Sequence, residues 1–292
     1  MDVFLLDGTY ELFRHHFGVP SHRTDQGVEV AATRGVLGSV LGMLEGGVTH
    51  LGVATDTVIE SFRNEMWPGY KSSAGVAQEL LAQFPVIEKA LEAMGVFIWP
   101  MVELEADDAL ASAAAVAAED PDVERVVICT PDKDLGQCVS KTRIVQMDRR
   151  KNITIDEDGV KAKFGVAPES IPDYLALVGD SADGFPGLPG FGAKSASQVL
   201  ARWMHLENIP AKGSEWDANV RGAPALAVTL QRDMELALLF RDIATLRIDH
   251  SLLDDVDQLR WTGPTDAFDD VSHLIDAPRL AERAKALASN SK

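Results

Sequence analysis

Short apolar runs that end beside an acid recur along the first half of this chain, and they constrain the fold more than any other feature. VFLL runs into Asp7, LGVA into Thr55-Asp56, VFIW is followed by ELEADDALA, and VVIC by TPDKDL. Stretches with helical apolar spacing separate them: Val28–Leu44, Gln78–Met94 with Pro85 set to kink it or restart it, and the alanine-rich Ala106–Ala118. A further short run, Ile144–Met147, follows. Strands separated by helices of ten or more residues predict a doubly wound, mostly parallel α/β sheet. Such a sheet brings its strand ends to one edge, so the acids at those ends are expected to gather.

Nine acids are involved: Asp7, Asp56, Glu105, Asp107, Asp108, Asp132, Asp134, Asp180 and Asp183. Any one of them, taken singly, reads more readily as a helix N-cap. Together, in the patterns Glu-x-Asp-Asp, Asp-x-Asp and Asp-x-x-Asp, they predict a carboxylate site that a hard divalent cation must neutralise, Mg²⁺ or Mn²⁺. Two such ions can clamp both the attacking and the leaving oxygen of a phosphodiester.

The 292 residues suffice for one large domain or two modest ones with a substantial core. The formal charge of −18 argues against a nucleic-acid partner at first sight. Setting aside the nine clustered acids halves it, and the remainder is uneven: residues 141–163 hold seven Lys and Arg against four acids. A local basic face is compatible with the total. No apolar stretch reaches the length of a bilayer span, and MDVFLLDG has no basic leader and reads as a first buried strand. Cys129 and Cys138 match no metal-ligand or disulfide pattern, which points to a reducing cytoplasm. The seven histidines show no ligand spacing, and no Gly-x-Ser-x-Gly elbow is present.

From about residue 165 the pattern becomes helical, with helices expected at Ser170–Val178, Gly192–Trp203 and Val228–Leu246. Between the first two lies GDSADGFPGLPGFGAK, whose Gly187, Gly190, Gly192 and Lys194 form a glycine-rich turn into a helix start, suited to a phosphate. It is not a Walker loop, and a plain turn is the simpler alternative. Residues 57–77 interrupt the alternation, reading as a loop or a cover; they carry Arg63, Tyr70 and Lys71, basic groups able to meet a phosphate and an aromatic able to stack on a base.

In order and spacing, VFLLDG, FRNEMWPGYK, ELEADDALA, TPDKDLGQ and GDSADGFPGLPGFGAKSA resemble the bacterial 5′→3′ exonuclease/flap endonuclease family, which includes the N-terminal nuclease domain of DNA polymerase I. The resemblance covers residue 1 to about 250. It implies a PIN-like α/β core over 1–165 with a helical arch at about 62–90, a helix–three-turn–helix lobe over 166–250, and a C-terminal extension, 251–292, packed on the core. With no polymerase domain following, the chain looks like a stand-alone member. The resemblance assigns Asp7, Asp56, Glu105 and Asp107 to a first metal, with Asp108 close by, and Asp132, Asp134, Asp180 and Asp183 to a second. It places Lys71 and Arg63 at the scissile phosphate, and Gly190, Gly192 and Lys194 on the duplex backbone around a K⁺ ion. Ala74 stands where many relatives carry an arginine, which weakens phosphate steering in the arch. The implied activity is two-metal hydrolysis of DNA with 5′ flaps, nicks or junctions, and of RNA/DNA hybrids, in Okazaki-fragment processing and repair beside a polymerase or ligase. A branched-DNA-binding protein that does not cut is the alternative, which the complete acid set disfavours. A PIN-type ribonuclease would be shorter and lack residues 165–203.

Overall fold

The computed structural model describes residues 1–217 and 219–290, so the last two residues of the expected C-terminal extension lie outside it. In chain order the elements begin with β1 (Asp2–Asp7), α1 (Gly8–Gly18), α2 (Ala31–Glu45), β2 (His50–Asp56) and α3 (Arg63–Met66). Next come α4 (Gln78–Leu81), α5 (Phe84–Ala93), β3 (Phe97–Met101), α6 (Ala106–Glu119) and β4 (Arg125–Cys129). They continue with β5 (Ile144–Asp148), β6 (Ile153–Ile155), α7 (Glu157–Phe164), α8 (Ile171–Val178) and α9 (Ala193–Trp203). The chain closes with α10 (Ala223–Arg232), α11 (Met234–Ala244), α12 (Phe268–Leu274) and α13 (Pro278–Asn290).

These elements form two compact units, each drawn from separate stretches of chain. The first comprises 1–59, 73–130 and 248–292, the second 60–72 and 131–247. The expected core of 1–165 thus contributes residues 60–72 and 131–165 to the second unit.

In the first unit four strands run parallel in the order β3-β2-β1-β4. They are short and almost wholly apolar because both faces are covered. Helices α1, α2 and α5 pack on one another, with α1 and α5 also against the strands, while α6 packs on all four strands and shares no substantial contact with that group. The alanines of α6 (Ala109, Ala111, Ala113, Ala114 and Ala117 are buried) let its backbone lie close to the sheet. Phe84, Ile87 and Leu91 of α5 are fully buried, each stabilising by about 1.5–3 kcal/mol. Trp99, buried, and Trp261, half-buried, donate Nε1–H to the carbonyls of Leu252 (2.6 Å) and Met94 (2.9 Å), tying the chain's C-terminal stretch to this unit.

Of the stretch 62–90 expected as a helical arch, α3 and α4 are four-residue turns and residues 84–90 belong to α5, part of the core. Pro68, Gly69 and Gly75 keep the intervening chain from helix.

The second unit joins the antiparallel pair β5–β6 to the helices α7–α11 and α3. Its apolar cluster centres on α8 and α11 and includes Leu175, Leu177, Phe185, Val199 and Phe240. Within it Asp173 of α8, 2% exposed, accepts from the Leu206 amide (3.2 Å) and Arg241 (3.1 Å) and pairs with His205 (2.9 Å). The helix expected over Val228–Leu246 is two helices. Asp233 leaves helical geometry at φ −110°, ψ 23°, its carboxylate holding Arg232.

Candidate metal centre

In the first unit the acids sit at the carboxyl edge of the parallel strands, as register demands. Asp7 ends β1 and Asp56 ends β2, while Glu105 follows β3. Asp7 caps α1, accepting the Tyr10 amide (2.7 Å) at Oδ1 and the Thr130 hydroxyl (2.8 Å) at Oδ2. Asp56 donates its amide to Thr9 Oγ1 (2.7 Å) and accepts the Ala106 amide (2.7 Å) at Oδ1, which brings it to the start of α6. Each carboxylate oxygen carries two lone pairs, so these bonds aim the groups without exhausting them. On either side of Asp56, the hydroxyls of Thr55 (2.8 Å) and Thr57 (2.6 Å) both donate to Glu88. Glu88 was not singled out from sequence, where it looks like any polar residue of an amphipathic helix.

Asp108 takes the capping role. It is fully buried and its Oδ2 accepts the Glu105 amide (2.9 Å), in a reciprocal box closed by the Glu105 side chain. Asp107 is half-buried beside it.

In the second unit Asp134, Asp180 and Asp183 converge, one carboxylate oxygen from each lying within 4.8 Å of the others. Among the described residues no member of the first set joins a group this tight. Asp134 opens a short 3₁₀ turn, Asp134–Cys138, with its amide donating to Asp132 Oδ1 (3.1 Å). Asp180 and Asp183 lie on a tight turn: the Ala182 amide donates to Asp180 Oδ1 (2.9 Å), and the Gly184 and Phe185 amides to the Asp180 carbonyl (2.8 and 3.0 Å). Lys133, between the two acids of TPDKDL, ion-pairs with Asp180 at 2.6 Å. Burial opposes its charge, but the hydrogen bond and charge of Asp180 outweigh this and raise its pKa.

The donor set fits a divalent cation. Asp134 is 5% exposed and its Oδ1, fully buried, has no hydrogen-bond partner. Burial first, then the charges of Asp132, Asp183 and Asp180, push its carboxyl well above the usual carboxylate range. An orphaned buried oxygen among like charges is costly, and an oxygen-ligated hard cation removes that cost.

Lys71 is held at this cluster. Its amide donates to the Asp183 carbonyl (2.9 Å), its ammonium lies 3.5 Å from the Asp183 carboxylate, and its carbonyl accepts from Asn64 Nδ2 (2.9 Å). Arg63 is not presented to a phosphate. It is 2% exposed, donating from Nε to the Ile243 carbonyl (2.8 Å) and from a terminal nitrogen to the Thr245 carbonyl (3.3 Å), with its guanidinium 4.6 Å from the Phe62 ring centroid. The carbonyls left open at the end of α11 take those donors. Tyr70 likewise cannot stack on a base: it is 5% exposed and belongs to the apolar cluster with Phe185 and Phe240. Gly187 and Gly190 adopt positive φ (69° and 87°), Gly192 donates its amide to Ser195 Oγ (3.0 Å) as α9 begins, and Lys194 is exposed in the first turn.

Two family models match consecutive parts of the chain: the 5′-3′ exonuclease N-terminal resolvase-like domain over residues 2–165, and the 5′-3′ exonuclease C-terminal SAM fold over 166–267. The chain belongs to the 5′-3′ exonuclease family. Among relatives in that family, the 5′-3′ exonuclease of Aquifex aeolicus is 32% identical over 244 residues, 82% of each chain. DNA polymerase I of Pseudomonas aeruginosa is 32% identical over 269 residues, 88% of this chain and 28% of the polymerase. The chain therefore spans less than a third of the polymerase relatives it matches. The family fold extends to solved structures: T5 D15 protein co-crystallised with metal ions (TM-score 0.65, 16% identity, all of both chains) and the catalytic core of Rad2 in complex with DNA substrate (TM-score 0.64, 16% identity, 97% and 90%). Among the described residues no helix is long and apolar enough to cross a membrane.

Proposed function

We propose that this exonuclease-family chain is a structure-specific 5′-nuclease that hydrolyses DNA phosphodiesters at 5′ flaps, nicks and junctions, RNA/DNA hybrids included. The observation that carries the reading is the buried, unpartnered Asp134 Oδ1 beside Asp180 and Asp183, in a chain of the 5′-3′ exonuclease family.

Asp132, Asp134, Asp180 and Asp183 are proposed to hold Mg²⁺ or Mn²⁺, and Asp7, Asp56, Glu105 and Asp107 to hold a further ion, with Asp108 setting the start of α6 beside them. When bound, the ions supply Lewis-acid stabilisation of the phosphoryl oxygens and activate water. The chain's own residues do the rest. Lys71 meets the scissile phosphate and offsets charge that builds on it during displacement. The turn from Gly187 to Gly192, with Lys194, grips the duplex backbone, and its main-chain carbonyls would hold K⁺ there. Lys133 shares the Asp180 carboxylate and keeps that cluster from carrying its full negative charge. The setting is the replication and repair of bacterial DNA in the cytoplasm, where a polymerase or ligase takes the product.

A 5′-labelled flap substrate with Mg²⁺ or Mn²⁺ tests this. Release of a labelled product is expected. Binding of the flap without any cleavage, across a titration of both metals, would sink the nuclease reading.

A further inference from the structure

The β5–β6 hairpin and α7 carry a basic surface that the grip turn does not account for. Among its five basic residues, Lys151 pairs locally with Asp148 (3.1 Å) and Lys161 with Glu157 (2.7 Å). The side chains of Arg150, at the hairpin turn, and Lys163, in the last turn of α7, have no carboxylate partner among the described residues. Lys163 instead lies over the Phe164 ring, 4.7 Å from its centroid. Burial, then the charge of Lys151, lowers its pKa, although Asp132 and Asp148 act the other way. A cation crowded by another, and left without an ion pair, is stabilised by an external anion.

This surface is continuous with the start of α9. Gly165 ends α7 at φ +75°, and a Cβ there would meet Ser197 Cβ at 2.8 Å, so the two helices touch at that point. Ser197 lies one turn along from Lys194, whose carbonyl accepts its hydroxyl (3.0 Å), and Lys194 has no ion pair among the described residues. The Phe164 ring is already packed on Tyr174, with centroids 5.9 Å apart. No open aromatic platform for bases accompanies these charges, so their chemistry is that of phosphate contact.

We infer that Lys194, Lys163 and Arg150 form one phosphate-binding track, carrying the duplex backbone from the grip turn along α7 to the β5–β6 hairpin. The track deepens the nuclease reading and rests on it for its ligand.

The test is fluorescence anisotropy on a dye-labelled 5′-flap duplex, with Ca²⁺ replacing Mg²⁺ and salt varied. The Arg150→Glu/Lys163→Glu protein is expected to bind about tenfold more weakly at 0.1 M salt, its log K against log salt slope shallower by about two. Arg279→Glu/Lys285→Glu, the same charge change on α13, controls for net charge and is expected to keep the wild-type slope. A slope in the Arg150/Lys163 variant equal to that of the control overturns the track. If the double reversal lowers Tm, Arg150→Gln alone decides: a slope shallower by about one supports the track, an unchanged slope overturns it. Cleavage by the wild type with Mg²⁺ is scored separately. Cleavage alongside an unchanged variant slope removes the track and keeps the nuclease; a lost slope in a protein that cuts nothing does the reverse.

Discussion

The amide of Lys71 donates to the carbonyl of Asp183 at 2.9 Å, so a basic residue of the irregular segment 60–72 is tied by its backbone to the turn that carries two of the converging acids. Its position relative to Asp183 therefore does not depend on the side-chain ion pair. Lys71→Ala is expected to lower cleavage about a hundredfold while leaving the urea midpoint close to wild type. Unchanged cleavage would remove Lys71 from the chemistry.

Asp134→Asn should separate stability from activity. Its carboxyl titrates above the usual range, so in metal-free protein the associated stability is present below the ordinary carboxylate pKa and lost as pH rises through the raised value. The variant lacks that loss. Its metal-free Tm at pH 8 is expected to exceed wild type by about 2 °C or more, with the gain shrinking toward pH 4, while cleavage is abolished. A lower Tm at pH 8 would contradict the picture of a repulsive, orphaned carboxylate.

Cation binding to wild type should release protons and tighten as pH rises. Calorimetry with Mn²⁺ in two buffers of different ionisation enthalpy measures the release. EDTA should end cleavage and lower Tm at neutral pH without unfolding the chain at room temperature.

Arg63→Ala is expected to cost about 3 kcal/mol, since it strands the Ile243 and Thr245 carbonyls and opens a buried gap. Urea unfolding gives the cost. Cleavage per folded molecule should stay within about threefold of wild type. A large loss of turnover with stability intact would return Arg63 to the phosphate.

Gly184→Ala should harm the acid cluster through the backbone. Gly184 holds φ +84°, and a Cβ there would come within 2.0 Å of the Gly69 carbonyl oxygen. The expected cost is about 2 kcal/mol or more, together with weaker Mn²⁺ binding as the Asp180–Asp183 turn shifts. Wild-type metal affinity in this variant would show that the turn tolerates displacement.

The strands and the acids at their ends were legible because burial on both faces leaves short, unbroken apolar runs and a parallel sheet leaves one edge for the acids. The capping use of Asp108 was also foreseeable in kind, since a cap and a ligand share one residue type at one position. What could not be read was which basic residue faces inward. Arg63 and Lys71 stand eight apart in one irregular segment, and only the open carbonyls at the end of α11 separate their fates. Tyr70 stays open in sequence for the same reason, since the apolar cluster it joins includes Phe185 and Phe240 far along the chain. Lys133 and Glu88 act through partners of distant sequence position and leave no local pattern.

The partners of Arg63 lie 180 and 182 residues further along the chain. At 5–20 residues per second, a ribosome needs roughly 10–40 s to supply them after Arg63 itself is made. Through that interval the guanidinium of Arg63 lacks the two carbonyls that hold it in the folded unit. Contacts this remote also slow the closing steps of folding. The burial of Arg63 thus waits for residues 243–245, well after the Asp183 carbonyl that takes the Lys71 amide has been made.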